Sequence, residues 1–283
     1  MGQIFLTKSF KFRYIYIYIY IMSIYKRYID FIKDTQLKLQ PKDWNFKKCS
    51  GYTYMLEHVN FNQGKQYLNV IKNKFNAFYK NNSEFLKNLC NLNDKYGKTN
   101  KYQFEDFIAC SPTNLRYILH SLLILEDMKK YKLNNIDIIE IGGGYGGLCF
   151  FIHNLAPLYE ININSYTIFD LLEASLLQEK YLNALNIKKT YFYQLDNFQL
   201  DNFHNLKNNS FLISTYAFSE IPMSIQKEYS EKIINQRTNY GFIAWNNIPV
   251  YNFVENSIIE KEREYPLTGP QNYYVRYYPT PNL

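Results

Sequence analysis

Residues 140–147 read Glu-Ile-Gly-Gly-Gly-Tyr-Gly-Gly and follow the apolar run Ile136–Ile141. Glycines let a backbone turn sharply and let a bulky ligand lie against it, and a helix opening at Gly147 offers N–H groups without partners. The spacing satisfies E-x-G-x-G-x-G through Glu140, Gly142, Gly144 and Gly146, and equally G-x-G-x-x-G through Gly142, Gly144 and Gly147. A dinucleotide and a sulfonium nucleoside therefore both remain open. Glu140 favours the second, because a carboxylate beside the loop repels a pyrophosphate and attracts a cation that carries an amine. Asp170 closes the next apolar run, 28 residues after Gly142. It can accept hydrogen bonds from two ribose hydroxyls of either ligand, or simply start a helix.

Those residues need a scaffold, and the periodicity supplies one. Ile136–Ile141, Ser165–Asp170, Thr190–Leu195, Phe211–Tyr216 and Gly241–Asn246 read as buried strands, with helices over 147–158, 171–185 and 224–236 between them. Asn272–Tyr278 alternates as a last strand that no βα repeat explains, following what reads as an insertion over 250–265. The expected fold is α/β, a Rossmann-like sheet, mostly parallel with an antiparallel last strand, preceded by a helical N-terminal region. Residues 111–283 form that domain. Ser111 and Pro112 open its leading helix, as N-cap and first helical residue. Residues 22–110 read as a helical cap or appendage, with helices over 24–38, 64–79 and 83–92.

Residues 1–21 form a low-complexity extension whose tract YIYIYIYI is what a TA dinucleotide repeat encodes, so translation is expected to begin at Met22. The apolar stretch there falls short of the roughly 20 residues that span a bilayer, and no membrane partner is expected. The 18 Lys/Arg against 8 Asp/Glu in residues 1–110 are scattered, not clustered, so no nucleic-acid partner is expected. Cys49, Cys90, Cys110 and Cys149 form no C-x-x-C pair, and the four histidines no H-x-x-x-H, which points to reduced thiols in the cytoplasm and no protein-built metal site.

The segments SPTNLRY (Ser111–Tyr117), IIEIGGGYGGL (Ile138–Leu148), FDLLEA (Phe169–Ala174), STYAFSEI (Ser214–Ile221) and YPLTGPQNYYV (Tyr265–Val275) resemble the sugar O-methyltransferase family of class I S-adenosylmethionine-dependent enzymes. The resemblance covers about residues 105–283, with Thr215 in place of Asn and Leu172 in place of Pro. It implies S-adenosyl-L-methionine as cofactor and a sugar or glycan hydroxyl as acceptor. A recruited divalent metal and the oligomeric state stay open. An NAD-dependent sugar oxidoreductase or epimerase, or a non-catalytic donor-binding scaffold, are the alternatives; a Tyr-x-x-x-Lys pair for the first is not found on the expected helix.

A sugar hydroxyl is a poor nucleophile near neutral pH, so a carboxylate that takes its proton is useful. Ligands of an open α/β sheet sit beyond the carboxyl ends of its strands. Glu220, after the fourth strand, is the expected catalytic residue, with Tyr216, Asn246 and Asn247 as acceptor contacts. Glu140, Gly142, Gly144, Gly146 and Asp170 are expected at the donor, with Asp196 near the adenine amino group and Arg116 near the donor carboxylate. His120 and His153 read as core histidines, and His204 falls at the wrong strand end.

Overall fold

The apolar runs pair side by side in one seven-stranded sheet. A computed structural model describes residues 26–33, 36–53, 56, 58–195 and 210–280. The Tyr-Ile tract, the expected start at Met22, Asp196 and His204 lie outside the described residues. The strands are β1 (Asn135–Ile141), β2 (Asn162–Phe169), β3 (Thr190–Tyr193), β4 (Ser210–Thr215), β5 (Thr238–Trp245), β6 (Ser257–Arg263) and β7 (Tyr273–Pro279). Their order across the sheet is 3-2-1-4-5-7-6, with β7 antiparallel to both of its neighbours and the rest parallel. This is the expected Rossmann-like sheet, mostly parallel with an antiparallel last strand. That last strand is slotted between β5 and β6, not laid on the edge.

The order reverses direction at β1 and β4, which makes their carboxyl ends the switch point where such sheets hold ligands. Both faces of the central strands are buried, which explains why they read as unbroken apolar runs. Ile138, Phe211 and Phe242 pack on one face, and Ile139, Leu212 and Ile243 on the other. Strand β6 is a correction to the expected insertion over 250–265. Its sequence SIIEKER is half-buried to exposed because it forms the sheet edge. Charged side chains there oppose edge-to-edge pairing: Glu262 meets Arg276 at 3.1 Å, and Arg276 also meets Asp127 at 2.7 Å.

On the first face lie α3 (Pro112–Lys130), α4 (Gly147–Leu155) and α5 (Leu172–Ala184), while α6 (Ala217–Glu220) and α7 (Met223–Tyr229) follow β4. Ser111 caps α3 and Pro112 opens it, as expected. Helix α3 is buried at every residue from Pro112 to Leu125 because a second layer covers it. That layer is α1 (Phe61–Lys74) and α2 (Asn76–Asn93), with the helix at 26–33 and the turns after it sharing the same core. Asn60 and Gln63 close a reciprocal capping box at the start of α1, at 2.9 and 3.0 Å. The α1–α2 break falls at Phe75, not between the expected helices at 64–79 and 83–92. Asn82 satisfies itself inside α2 by donating to the Phe78 carbonyl at 2.9 Å, so its polarity does not end the helix.

One buried cation joins this layer to the sheet. Lys47 is 2% exposed, and its Nζ lies 4.3 Å from the Tyr145 ring centroid and 3.2 Å from the Tyr181 hydroxyl, and donates to the Asn93 carbonyl. Asn93 donates to Tyr145 Oη at 3.1 Å. The glycine loop, which carries Tyr145, is thereby pinned from behind by residues that lie outside the sheet domain.

Candidate active site

The glycine loop holds its shape through backbone contacts that only glycine permits. Gly142 has φ +76°, and a Cβ built on it would stand 2.1 Å from the Ala217 Cβ. Its N–H donates to the Phe169 carbonyl at 2.9 Å, which locks the end of β1 to the end of β2. Gly142→Ala should therefore lower stability by about 2 kcal/mol or more, from left-handed strain plus overpacking, measured by urea unfolding. An unchanged midpoint would show that α6 yields freely. Gly142 and Gly144 line a cavity of about 490 Å³ at the switch point. Gly146 is not among its lining residues: at φ +92° it caps α4, and its missing Cβ leaves room for Leu182 at 3.0 Å.

Two carboxylates face this cavity beside the loop. Glu140 is 1% exposed and accepts a hydrogen bond from the Tyr166 hydroxyl at 2.9 Å. Burial pushes its carboxyl up to about 8; the Tyr166 bond opposes this and the charge of Asp170 adds to it. Asp170 is pushed up to about 6, again by burial, against hydrogen bonds from Leu171, Gln178, Gly143 and Gly144. It accepts from the Leu171 N–H at 2.8 Å and from Gln178 Nε2 at 2.7 Å, and Gln178 also donates to the Gly144 carbonyl at 2.9 Å. Asp170 is thus more than a helix start; it ties α5 to the loop.

The opposite wall comes from the ends of β4 and β5. Tyr216 stands at φ +72°, an uncommon conformation for a bulky residue, and its N–H donates to the Ala244 carbonyl at 2.8 Å. This sharp turn starts α6 at once and brings Glu220 to the cavity rim. Asn246 Nδ2 donates to Glu220 Oε1 at 2.6 Å, and Asn246 Oδ1 lies 2.7 Å from Ser219 Oγ, whose one proton also has the Tyr216 carbonyl within reach at 2.9 Å. Asn247 lines the cavity beside it, at φ +63°. Glu140, Gly142, Gly144, Asp170, Arg116, Tyr216, Glu220, Asn246 and Asn247, nine of the expected site residues, come together at this one cavity.

Further lining residues come from outside the sheet. Leu56, His58 and Gln63 reach the cavity from before and within α1, and Thr268, Gln271 and Asn272 from the loop between β6 and β7. A composition or period argument has no means of finding residues that arrive through space. Leu56 covers Gly144, at 3.4 Å from where a Cβ would be, and its carbonyl accepts from Arg116 Nη2 at 3.3 Å. Arg116 also lies 5.8 Å from the Tyr117 and Tyr216 ring centroids. His120 is fully buried among Tyr67, Tyr216, Phe242 and Tyr274, and burial drives it down to about 3, so it stays neutral. His153 packs on Tyr166 and is likewise driven down to about 4 by burial.

All four cysteines are free thiols, and no group of three or more His, Cys, Asp or Glu among the described residues is arranged to hold a metal ion. No helix among them is long and apolar enough to cross a membrane.

No protein-family model matches the chain, and no curated protein matches it. Solved structures do. An rRNA methylase from Streptococcus thermophilus is 15% identical, with 58% of this chain and 96% of that chain covered and a TM-score of 0.40. The CMeT domain of the citrinin polyketide synthase is 13% identical, covering 60% and 54%, with a TM-score of 0.40. PKMT2 from Rickettsia typhi, solved with AdoHcy, is 15% identical, covering 46% and 25%, with a TM-score of 0.33. This chain spans about half the length of the first solved chains it matches, 48% and 52%. Likeness this distant adds nothing to a fold that the strand order already defines, and it is silent on the acceptor.

Proposed function

We propose that the chain is an S-adenosyl-L-methionine-dependent O-methyltransferase that acts on a sugar hydroxyl. The observation that carries this reading is the cavity itself, which sets the glycine loop with Glu140 and Asp170 on one wall and Glu220 with Asn246 on the other. The donor wall suits a cation: the buried Glu140 and the half-buried Asp170 flank the loop, and once ionised they attract an ammonium group and repel a pyrophosphate. Bound there, S-adenosyl-L-methionine would supply a sulfonium-activated methyl group.

The chain's own residues then do the rest. Asp170, held by Gln178, presents a carboxylate to ribose hydroxyls, and Glu140 faces the amino end, with Arg116 near the carboxylate end. Gly142 and Gly144 allow close backbone approach. The cavity is lined by the neutral amides Gln63, Asn246, Asn247, Gln271 and Asn272, a residue type that can donate and accept toward a polyhydroxylated ligand. Glu220 accepts the hydroxyl proton as the methyl transfers. Leu56 and the α1 layer close the donor side and exclude water, so that layer serves as a cap on the sheet domain.

S-adenosylhomocysteine should raise the melting temperature of the full chain and NAD should not, because a ligand that binds only the folded state stabilises it by mass action. Stabilisation by NAD alone would overturn the assignment in favour of a dinucleotide enzyme.

A further inference from the structure

Away from the cavity, the buried cation Lys47 sits where the two elements that hold Asp170 come together. Its Nζ donates to the Asn93 carbonyl at 2.5 Å and to the Tyr181 hydroxyl at 3.2 Å, and lies 4.3 and 5.0 Å from the ring centroids of Tyr145 and Tyr181. The same residues are tied to one another. The Tyr181 hydroxyl donates to Asn93 Oδ1 at 2.5 Å, and Asn93 Nδ2 donates to Asn114 Oδ1 at 2.5 Å and to Tyr145 Oη at 3.1 Å. Gly97, at φ +91°, leaves room for the lysine stem: a Cβ there would stand 2.7 Å from Lys47 Cγ. Its carbonyl accepts from the Lys47 N–H at 3.0 Å. The charge has a counterpart in Asp94, whose carboxyl is pushed up by burial and drawn back down by Lys47.

The two rings belong to the elements that set Asp170. Tyr145 directly follows Gly143 and Gly144, whose N–H groups bond the Asp170 carboxylate. Tyr181 lies one turn beyond Gln178 on α5, and Gln178 Nε2 donates to Asp170 Oδ2 at 2.7 Å and to the Gly144 carbonyl at 2.9 Å. A cation shielded from water attracts the faces of both rings. Lys47 therefore draws loop and helix toward one point, and the groups that aim Asp170 are carried on both.

We propose that Lys47 is a positioning residue of the donor site, a buried cation from the N-terminal layer that joins the glycine loop to α5 so that Asp170 is held ready for the donor's ribose. This rests on the donor assignment above. Lys47 is not among the residues that line the cavity, so its effect reaches the ligand only through Asp170 and the loop.

Lys47→Met tests this, because methionine fills much of the same space with neither charge nor N–H. S-adenosylhomocysteine is titrated by calorimetry into the full chain, at a temperature where circular dichroism shows each variant folded. Lys47→Met should weaken binding about tenfold, the size of effect known for residues that act on a site without touching the ligand. KM for S-adenosyl-L-methionine should rise by a similar factor while kcat holds. The same substitution in an Asp170→Asn chain, which keeps an oxygen for the Leu171 N–H, should cost no more than about twofold, because the group that Lys47 positions has already been altered. Tyr181→Phe keeps the core filled and removes only the hydroxyl that Lys47 and Asn93 share. It should weaken binding about fivefold, again less in the Asp170→Asn chain, and decides the matter if Lys47→Met does not fold.

A folded Lys47→Met chain with wild-type affinity overturns the proposal. Equal losses with and without Asp170→Asn also overturn it, since independent effects add, and leave Lys47 a support of the fold alone. A wild-type chain that does not take S-adenosylhomocysteine overturns the donor assignment instead.

Discussion

Glu220→Gln should lower turnover on a sugar hydroxyl by about 100- to 10,000-fold while leaving the affinity for S-adenosylhomocysteine unchanged, the range expected when a general base is removed. The geometry makes this substitution unusually clean. Asn246 donates to Glu220 Oε1 at 2.6 Å. A glutamine there can still present its carbonyl to Asn246 and keep α6 in place, and only the carboxylate is lost. Loss of one neutral acceptor contact, about 1 kcal/mol, would give about fivefold. Single-turnover kinetics with labelled methyl donor separate these outcomes: a drop of two or more orders makes Glu220 the base, and a fivefold drop makes it an acceptor contact. Unchanged turnover would move the role to His58, which lines the same cavity from the N-terminal side.

Glu220 and Asn246 were legible because each follows a strand whose apolar run is continuous and buried on both faces, and the carboxyl ends of such strands are where ligands gather. The same rule located Tyr216 and Asp170. It failed at β6, where SIIEKER at the sheet edge carries charges on a half-exposed strand and shows no apolar face to read. Missing β6 also hid Glu264, which follows that strand, is buried and accepts from the Thr268 N–H at 2.9 Å, because a carboxylate in an insertion has no assigned place, whereas one at a strand end has. Leu56, His58 and Gln63 belong to a different kind of blindness. They reach the cavity through the packing of the α1 layer on α3, and Leu56 alone covers Gly144; no local period encodes such contacts. Gly146 shows the reverse case: the motif is read correctly as a loop, but only some of its glycines meet the cavity, while Gly146 serves the packing of α4 on Leu182.

The affinity for S-adenosylhomocysteine should rise with pH, by up to about 100-fold between pH 6 and pH 8, and then level off. The ligand's ammonium group needs an ionised partner, and the nearest candidate is Glu140, which burial holds up at about 8 in the free protein. Around it stand the Tyr166 hydroxyl and the carboxyl of Asp170, itself held up at about 6, and neither supplies a positive charge. Below pH 8 the free protein therefore carries a proton on Glu140 that binding must expel, and one expelled proton gives a tenfold gain in affinity per pH unit. Asp170 adds to the slope below about pH 6. The sign for stability is opposite: a carboxyl whose folded pKa lies above its usual 4.5 makes the folded state bind more protons than the unfolded one, so the stability of the free protein falls as pH rises from about 4.5 to about 8. The same rise in pH thus weakens the free fold and strengthens the complex. Calorimetry at pH 7 in two buffers of different ionisation heat should show close to one proton released per ligand, and Glu140→Gln should abolish that release along with most of the pH dependence. Normal affinity with a flat profile would mean that Glu140 keeps its proton under the bound ligand, with the ammonium group held by carbonyl oxygens of the loop instead.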